Sequence, residues 1–131
     1  MFARGDCGPL YGDMKIIIPG ELTDLNTYIN AERSNRFAGS ELKRVNTNKV
    51  RYCIKGTRIK KKFIKPVYII FDWYCKDRMK DKDNIAFSKK FIQDALVLEG
   101  IIPGDGWKNI EGFVDNFFID KQNPRIEVTI E

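Results

Sequence analysis

The chain has 131 residues, 43% of them hydrophobic, with 23 Lys and Arg against 18 Asp and Glu, three cysteines and no histidine. That length suits one domain, able to bury roughly two-thirds of its unfolded surface. The lack of histidine and of any CxxC pair excludes the usual zinc ligand sets and any histidine base, the odd cysteine count argues against a disulfide framework, and no run of 18 apolar residues or signal-peptide pattern occurs.

A cytoplasmic location is therefore expected, with no membrane partner. Residues 1–13 are glycine-rich and without period, and read as a flexible N-terminal extension preceding a single domain over 14–131. The β-branched run 16–18, closed by Pro19 and Gly20, predicts a first strand and a turn. Thr23 or Asp24 can cap a helix in which Leu25, Tyr28, Ile29 and Ala31 recur at helical spacing to about Phe37. Gly39 and Ser40 are expected to interrupt it, with further helix over 43–53.

Charge becomes uneven at this point. Residues 42–65 hold ten Lys and Arg and no acid, which leaves 13 basic residues against 18 acidic ones elsewhere. Such a split suits a face built for a polyanion, because phosphate contacts release counterions, although a solvated charged face would have the same composition. Arg58, Lys60, Lys61 and Lys62 are its densest part and the expected contacts to the phosphates of such a polyanion.

The stretch 63–75 is rich in β-branched and aromatic residues and predicts the strongest, central strand. A polar segment then leads into a helix over 84–98 with a broad apolar face that includes Ile85, Ile92, Ala95 and Leu96. Gly100 is a helix stop, 103–106 a tight turn, and strands are expected over 110–119 and 126–130. The predicted class is α/β (α+β): a mixed sheet of about four strands with two or three helices, in the order β-α-β-α-β-β. Cys53 and Cys75 are read as small core residues. Trp73, Trp107, Tyr52 and Phe63 are also read as core, with Trp107 the best placed to stack on a base instead.

The residues with chemical potential lie between strand and helix. Asp81 and Asp83 stand two apart, and two carboxylates in an extended segment can converge on a hard cation such as magnesium or manganese. The same acids followed by Asn84 would also serve as helix caps, and local spacing alone favours the caps. An EF-hand starting at Asp81 fails, because its sixth and twelfth positions would be Ala86 and Ile92. A sugar-nucleotide DxD site would want a phosphate loop, and no glycine-rich nucleotide motif occurs, so no nucleotide cofactor is expected. Asp105 adds a third acid within the turn, a position where aspartate is common on local grounds.

Taken together, Asp81-Lys82-Asp83-Asn84, the pair Lys89-Lys90, the run Asp94-Ala95-Leu96 and the turn from Gly100 to Asp105 resemble the core of the RusA family of Holliday junction resolvases. The likeness is specific over 80–112 and rests on element order elsewhere. It implies a magnesium-dependent endodeoxyribonuclease, with manganese a substitute, in which Asp81, Asp83 and Asp105 bind metal and a helix lysine assists. Counted from the upstream motif the family's lysine position falls on Phe87; counted back from Asp94 it falls on Lys90, which is preferred, with Lys89 second. The resemblance further implies a homodimer acting on branched DNA, the four-way junction, by paired symmetric nicks in recombination and repair. The alternatives are a structure-selective metal nuclease acting on other branched DNA and a non-catalytic DNA-binding protein.

Overall fold

A computed structural model describes residues 13–131, so all but the last residue of the expected N-terminal extension lies outside the described residues. Strand β1 (Met14–Pro19) leads to helices α1 (Leu25–Ser34) and α2 (Arg36–Lys55). Next come strand β2 (Val67–Cys75), the one-turn helix α3 (Lys82–Ala86), helix α4 (Lys89–Leu98), and strands β3 (Ile110–Ile119) and β4 (Arg125–Ile130). The class is the expected one, a four-stranded mixed sheet with three helices of ten residues or more.

The strands line up as β1-β4-β2-β3. β4 runs antiparallel to both of its neighbours, while β3 lies parallel to β2, reached through the α3 and α4 crossover. A parallel pair requires such a crossover because a hairpin cannot reverse direction twice. In β1, β2 and β4 alternate side chains are buried, as the period of two demands of a sheet covered on one face. Ile16, Ile18, Ile69, Phe71, Trp73, Val128 and Ile130 thus meet Val50 and Ile54 of α2 and Phe91, Ile92 and Leu96 of α4 in one core. Burying each large side chain contributes about 1.5–3 kcal/mol. The opposite face of the sheet carries no helix among the described residues.

Helix boundaries follow the capping chemistry. Asp24 accepts from Thr27 N–H at 3.3 Å and from Thr27 Oγ1 at 2.7 Å, so it is Asp24, not Thr23, that starts α1. Burial alone would raise the Asp24 pKa, but the hydrogen bonds from Thr27 outweigh it and hold the carboxyl below its ordinary value. The expected break at Gly39 and Ser40 is displaced to Asn35, whose extended backbone ends α1 and whose side chain caps α2 through Ala38 N–H at 2.8 Å. Gly39 lies inside α2, where a Cβ would meet the Glu32 side chain at 2.5 Å, so its small size lets the two helices approach. Gly100, at φ +73, ends α4 as expected, with Ile101 N–H returning to Leu96 O at 2.9 Å. The single helix predicted over 84–98 is broken at Phe87 and Ser88. Among the described residues no helix is long and apolar enough to cross a membrane.

Candidate metal and nucleic-acid site

Asp81 occupies the N-cap position of α3 but makes no side-chain capping bond, and Asp83 sits in the helix's first turn. Asp83 Oδ1 accepts only the N–H of its neighbour Asn84, at 2.9 Å. Both residues are exposed and line one broad concavity at the C-terminal end of β2, walled by Arg78, Lys80 and Lys82 and by Phe117 and Ile119 of β3. Lys82 lies 5.7 Å from the Phe117 ring centroid. These are acceptor-only oxygens with unused lone pairs on one helical turn, a donor set whose chemistry suits a magnesium-type cation better than a soft metal. Asn84 serves the scaffold instead, since its Oδ1 accepts from Asn26 N–H at 2.9 Å and ties α3 to α1.

Asp105 is not brought beside them. It lines a different cleft, between α2 and α4, with Lys43, Arg44, Thr47, Arg51 and Asp94. Among the described residues no three His, Cys, Asp or Glu side chains are gathered as a metal-binding group. Lys90 belongs to the Asp105 cleft, with its ammonium 3.8 Å from Asp105 Oδ2 and 3.4 Å from Asp94 Oδ1. Asp94 also has Lys43 at 3.8 Å, so it joins α2 to α4.

The two adjacent lysines differ in environment. Lys89 is directed inward to Asp115 Oδ2 of β3 at 2.6 Å, and its ammonium lies over the rings of Phe113 and Phe71 at 4.9 and 5.3 Å. Asp115 Oδ1 accepts the Trp73 indole N–H at 2.9 Å. Lys89 is thus held by a carboxylate and two aromatic faces, whereas Lys90 remains more exposed. Of the two lysines proposed for the helix position, Lys90 is the more exposed. The Trp73–Asp115–Lys89 chain went unrecognised in the sequence because it depends on parallel pairing of β2 with β3; the only advance signal is the shared alternation of Phe113, Asp115 and Phe117.

The basic stretch separates into two parts. On α2, Arg51 and Lys55 both bind Glu99, at 2.7 and 2.8 Å, and Arg44 pairs with Glu41. Lys55, then Arg51, holds the Glu99 carboxyl below its ordinary value. In the irregular segment between α2 and β2, Arg58, Lys60 and Lys62 are exposed and have no carboxylate partner among the described residues, and Lys61 is half-buried. Phe63 N–H anchors this loop to Ile101 O at 2.8 Å. Trp107 is fully exposed and Tyr52 is 80% exposed, so neither is core, while Trp73 is buried as expected. Cys75 is buried and Cys53 half-buried. In comparisons with known proteins, no family model and no curated protein matches the chain.

Proposed function

We propose that the protein is a divalent-metal-dependent endodeoxyribonuclease acting on branched DNA, with the four-way junction as its substrate and a homodimer as its working form. The observation that carries this reading is the pair of uncommitted carboxylates, Asp81 and Asp83, on one exposed turn beside a wall of cationic side chains. The likeness of the 80–112 segment to the RusA resolvases supports the same assignment. Asp81 and Asp83 would hold magnesium or manganese, whereas Asp105, which the likeness also assigns to the metal, lines the separate α2–α4 cleft. A bound ion of this kind supplies an activated water and offsets charge building on the phosphate.

The chain's own residues do the rest. Lys90, exposed and only loosely paired, can neutralise the scissile phosphate or protonate the leaving oxygen. Arg58, Lys60 and Lys62 contact DNA backbones without reading sequence, and Lys61 lies within the same loop. Two-fold symmetry of a homodimer matches the near two-fold symmetry of a junction that must be nicked on two strands.

The test is cleavage of a synthetic four-way junction and its matched linear duplex, each with magnesium, with manganese and with chelator, using the wild type and Asp83→Asn. Paired nicks on the junction, lost with chelator and in the variant while binding persists, are the expected result. Cleavage of forks or flaps in preference would point to a broader branched-DNA nuclease. Binding without cleavage in any metal would leave a DNA-binding module in which Asp81 and Asp83 only begin a helix.

A further inference from the structure

Two loops stand side by side where the parallel strands β2 and β3 begin, at the end of the sheet away from Asp81 and Asp83. Phe63 N–H, in the loop before β2, donates to Ile101 O at 2.8 Å, and Val67 N–H donates to Asn109 O at 3.0 Å, so this loop is tied twice to the turn before β3. Residues 60–64 alternate, with Lys60, Lys62 and Ile64 exposed and Lys61 and Phe63 half-buried, the pattern of an extended segment lying on the core. Ile64 is 86% exposed. In the neighbouring turn Gly106 O accepts the N–H groups of both Asn109 and Ile110 at 3.0 Å, and this closure holds Trp107 outward with its whole side chain in solvent. A large aromatic and a large aliphatic side chain are thus presented bare, on backbone that hydrogen bonds fix in place.

We propose that these loops form a platform for unpaired DNA, on which a base stacks against Trp107 while Lys60, Lys62 and their neighbours follow the phosphates. Successive outward side chains of an extended segment stand about 6.6 Å apart, close to the step between neighbouring phosphates on one strand. Arg58, Lys60, Lys62, Lys65 and Lys108 are exposed and without a carboxylate partner among the described residues. The carboxylates at this end are fewer, those of Asp105, Glu111 and Glu131, and Asp105 already faces Lys90 at 3.8 Å. A paired base hides both of its faces inside the duplex, so a fully open indole serves only a base that has left the stack. A lipid surface fits less well, because it calls for an amphipathic helix with a broad apolar face, and only Ile59, Ile64 and Trp107 are bare here. Charge and the single open ring together select a strand with exposed bases.

Position gives the platform a meaning for the proposed site. The nine residues of β2 separate it from the concavity of Asp81 and Asp83, about 25–30 Å at the rise of a strand. A base held at Trp107 and a phosphate at the acid pair would therefore belong to different parts of one substrate. Unpaired bases some distance from the cut, as at an opened branch point or a frayed arm, would add to the hold on a junction. That consequence rests on the nuclease reading, whereas the platform itself does not.

Fluorescence titration of the full chain in chelator tests it, because Trp73 is buried and Trp107 reports on the surface. The probes are a single strand of about 12 thymidines, the same strand without bases, a matched duplex, and vesicles containing phosphatidylserine. Tryptophan emission is expected to be quenched by the thymidine strand and left unchanged by the abasic one. Trp107→Ala should bind the thymidine strand roughly 5- to 150-fold more weakly, the range for loss of one stacked base, and Trp107→Phe should recover most of that loss. Duplex affinity and the circular dichroism spectrum should be the same in both variants as in the wild type, since the ring touches no core. Equal losses on single strand and duplex, equal binding of the two single strands, or binding of vesicles in place of DNA would overturn the platform. Junction cleavage with magnesium is read separately: a protein that stacks the strand but cuts nothing defeats the nuclease reading alone, and one that nicks junctions while ignoring unpaired bases defeats the platform alone.

Discussion

Neighbouring lysines at the start of α4 have opposite fates because one helical step turns a side chain by about 100°. Lys89 enters a half-buried niche in which Asp115 satisfies its charge and Phe71 and Phe113 cover it. Lys90 turns towards Asp94 and Asp105 at distances too long for strong hydrogen bonds. Lys89→Ala should therefore cost about 1–3 kcal/mol in urea unfolding, since Asp115 would lose its charged partner and the rings their cation. Lys90→Ala should cost no more than about 1 kcal/mol, as exposed pairs do, yet depress junction cleavage. If the stability losses were reversed, the assignment of the inward lysine would be wrong.

At the scale of elements, the basic stretch is two structures with two roles. Along α2, Arg51 and Lys55 bind Glu99 and tie the helix to the end of α4, while Arg44 pairs with Glu41 within α2 itself. In the loop that follows, Arg58, Lys60 and Lys62 have no carboxylate partner among the described residues, and the proposed function would use them on DNA backbone. Replacing those three by alanine should flatten the salt dependence of DNA binding by about 0.9 in log-log slope for each phosphate that is no longer neutralised. An unchanged slope would remove the loop from the docking surface. Strands were the most legible elements, because β-branched and aromatic runs over 16–18, 63–75 and 126–130 mark them, although the second strand begins only at Val67. Helix breaks were less so. Asn35 and Gly39 are both helix-ending residues by type; the break falls at Asn35, while Gly39 lies where α2 passes Glu32 of α1, a tertiary contact that no local pattern encodes. For the same reason the sequence could mark Asp81, Asp83 and Asp105 by spacing but not foresee that Asp105 would line the α2–α4 cleft with Lys90.

Across the whole molecule, acid sensitivity has a definite sign. Glu127, on the central strand β4, receives a hydrogen bond from Lys15 of β1 at 2.7 Å, which with Arg125 outweighs burial and holds its carboxyl below its ordinary 4.5. Glu99, Asp24 and Asp120 are lowered in the same direction by their own partners. A depressed carboxyl contributes stability above its unfolded pKa and loses it as pH falls through the folded value. Melting temperature should thus hold near neutrality and fall below about pH 4.5, with Glu127→Gln less stable at pH 6 but losing less on acidification. A variant that loses as much as the wild type would show that Glu127 takes no part in the transition.

β4 comes last among the strands yet stands in the middle of the sheet, between β1 and β2. Within the sheet, β1 is connected to β2 only through it. Its register with β1 joins Met14 to Ile130, so the chain must close a loop spanning nearly its whole described length before the sheet exists. The cost of that closure grows only slowly with length, but it falls early in folding, before the interactions that offset it. Completion of the four-stranded sheet is accordingly expected to wait on residues 125–130, the piece that joins β1 to the β2–β3 pair.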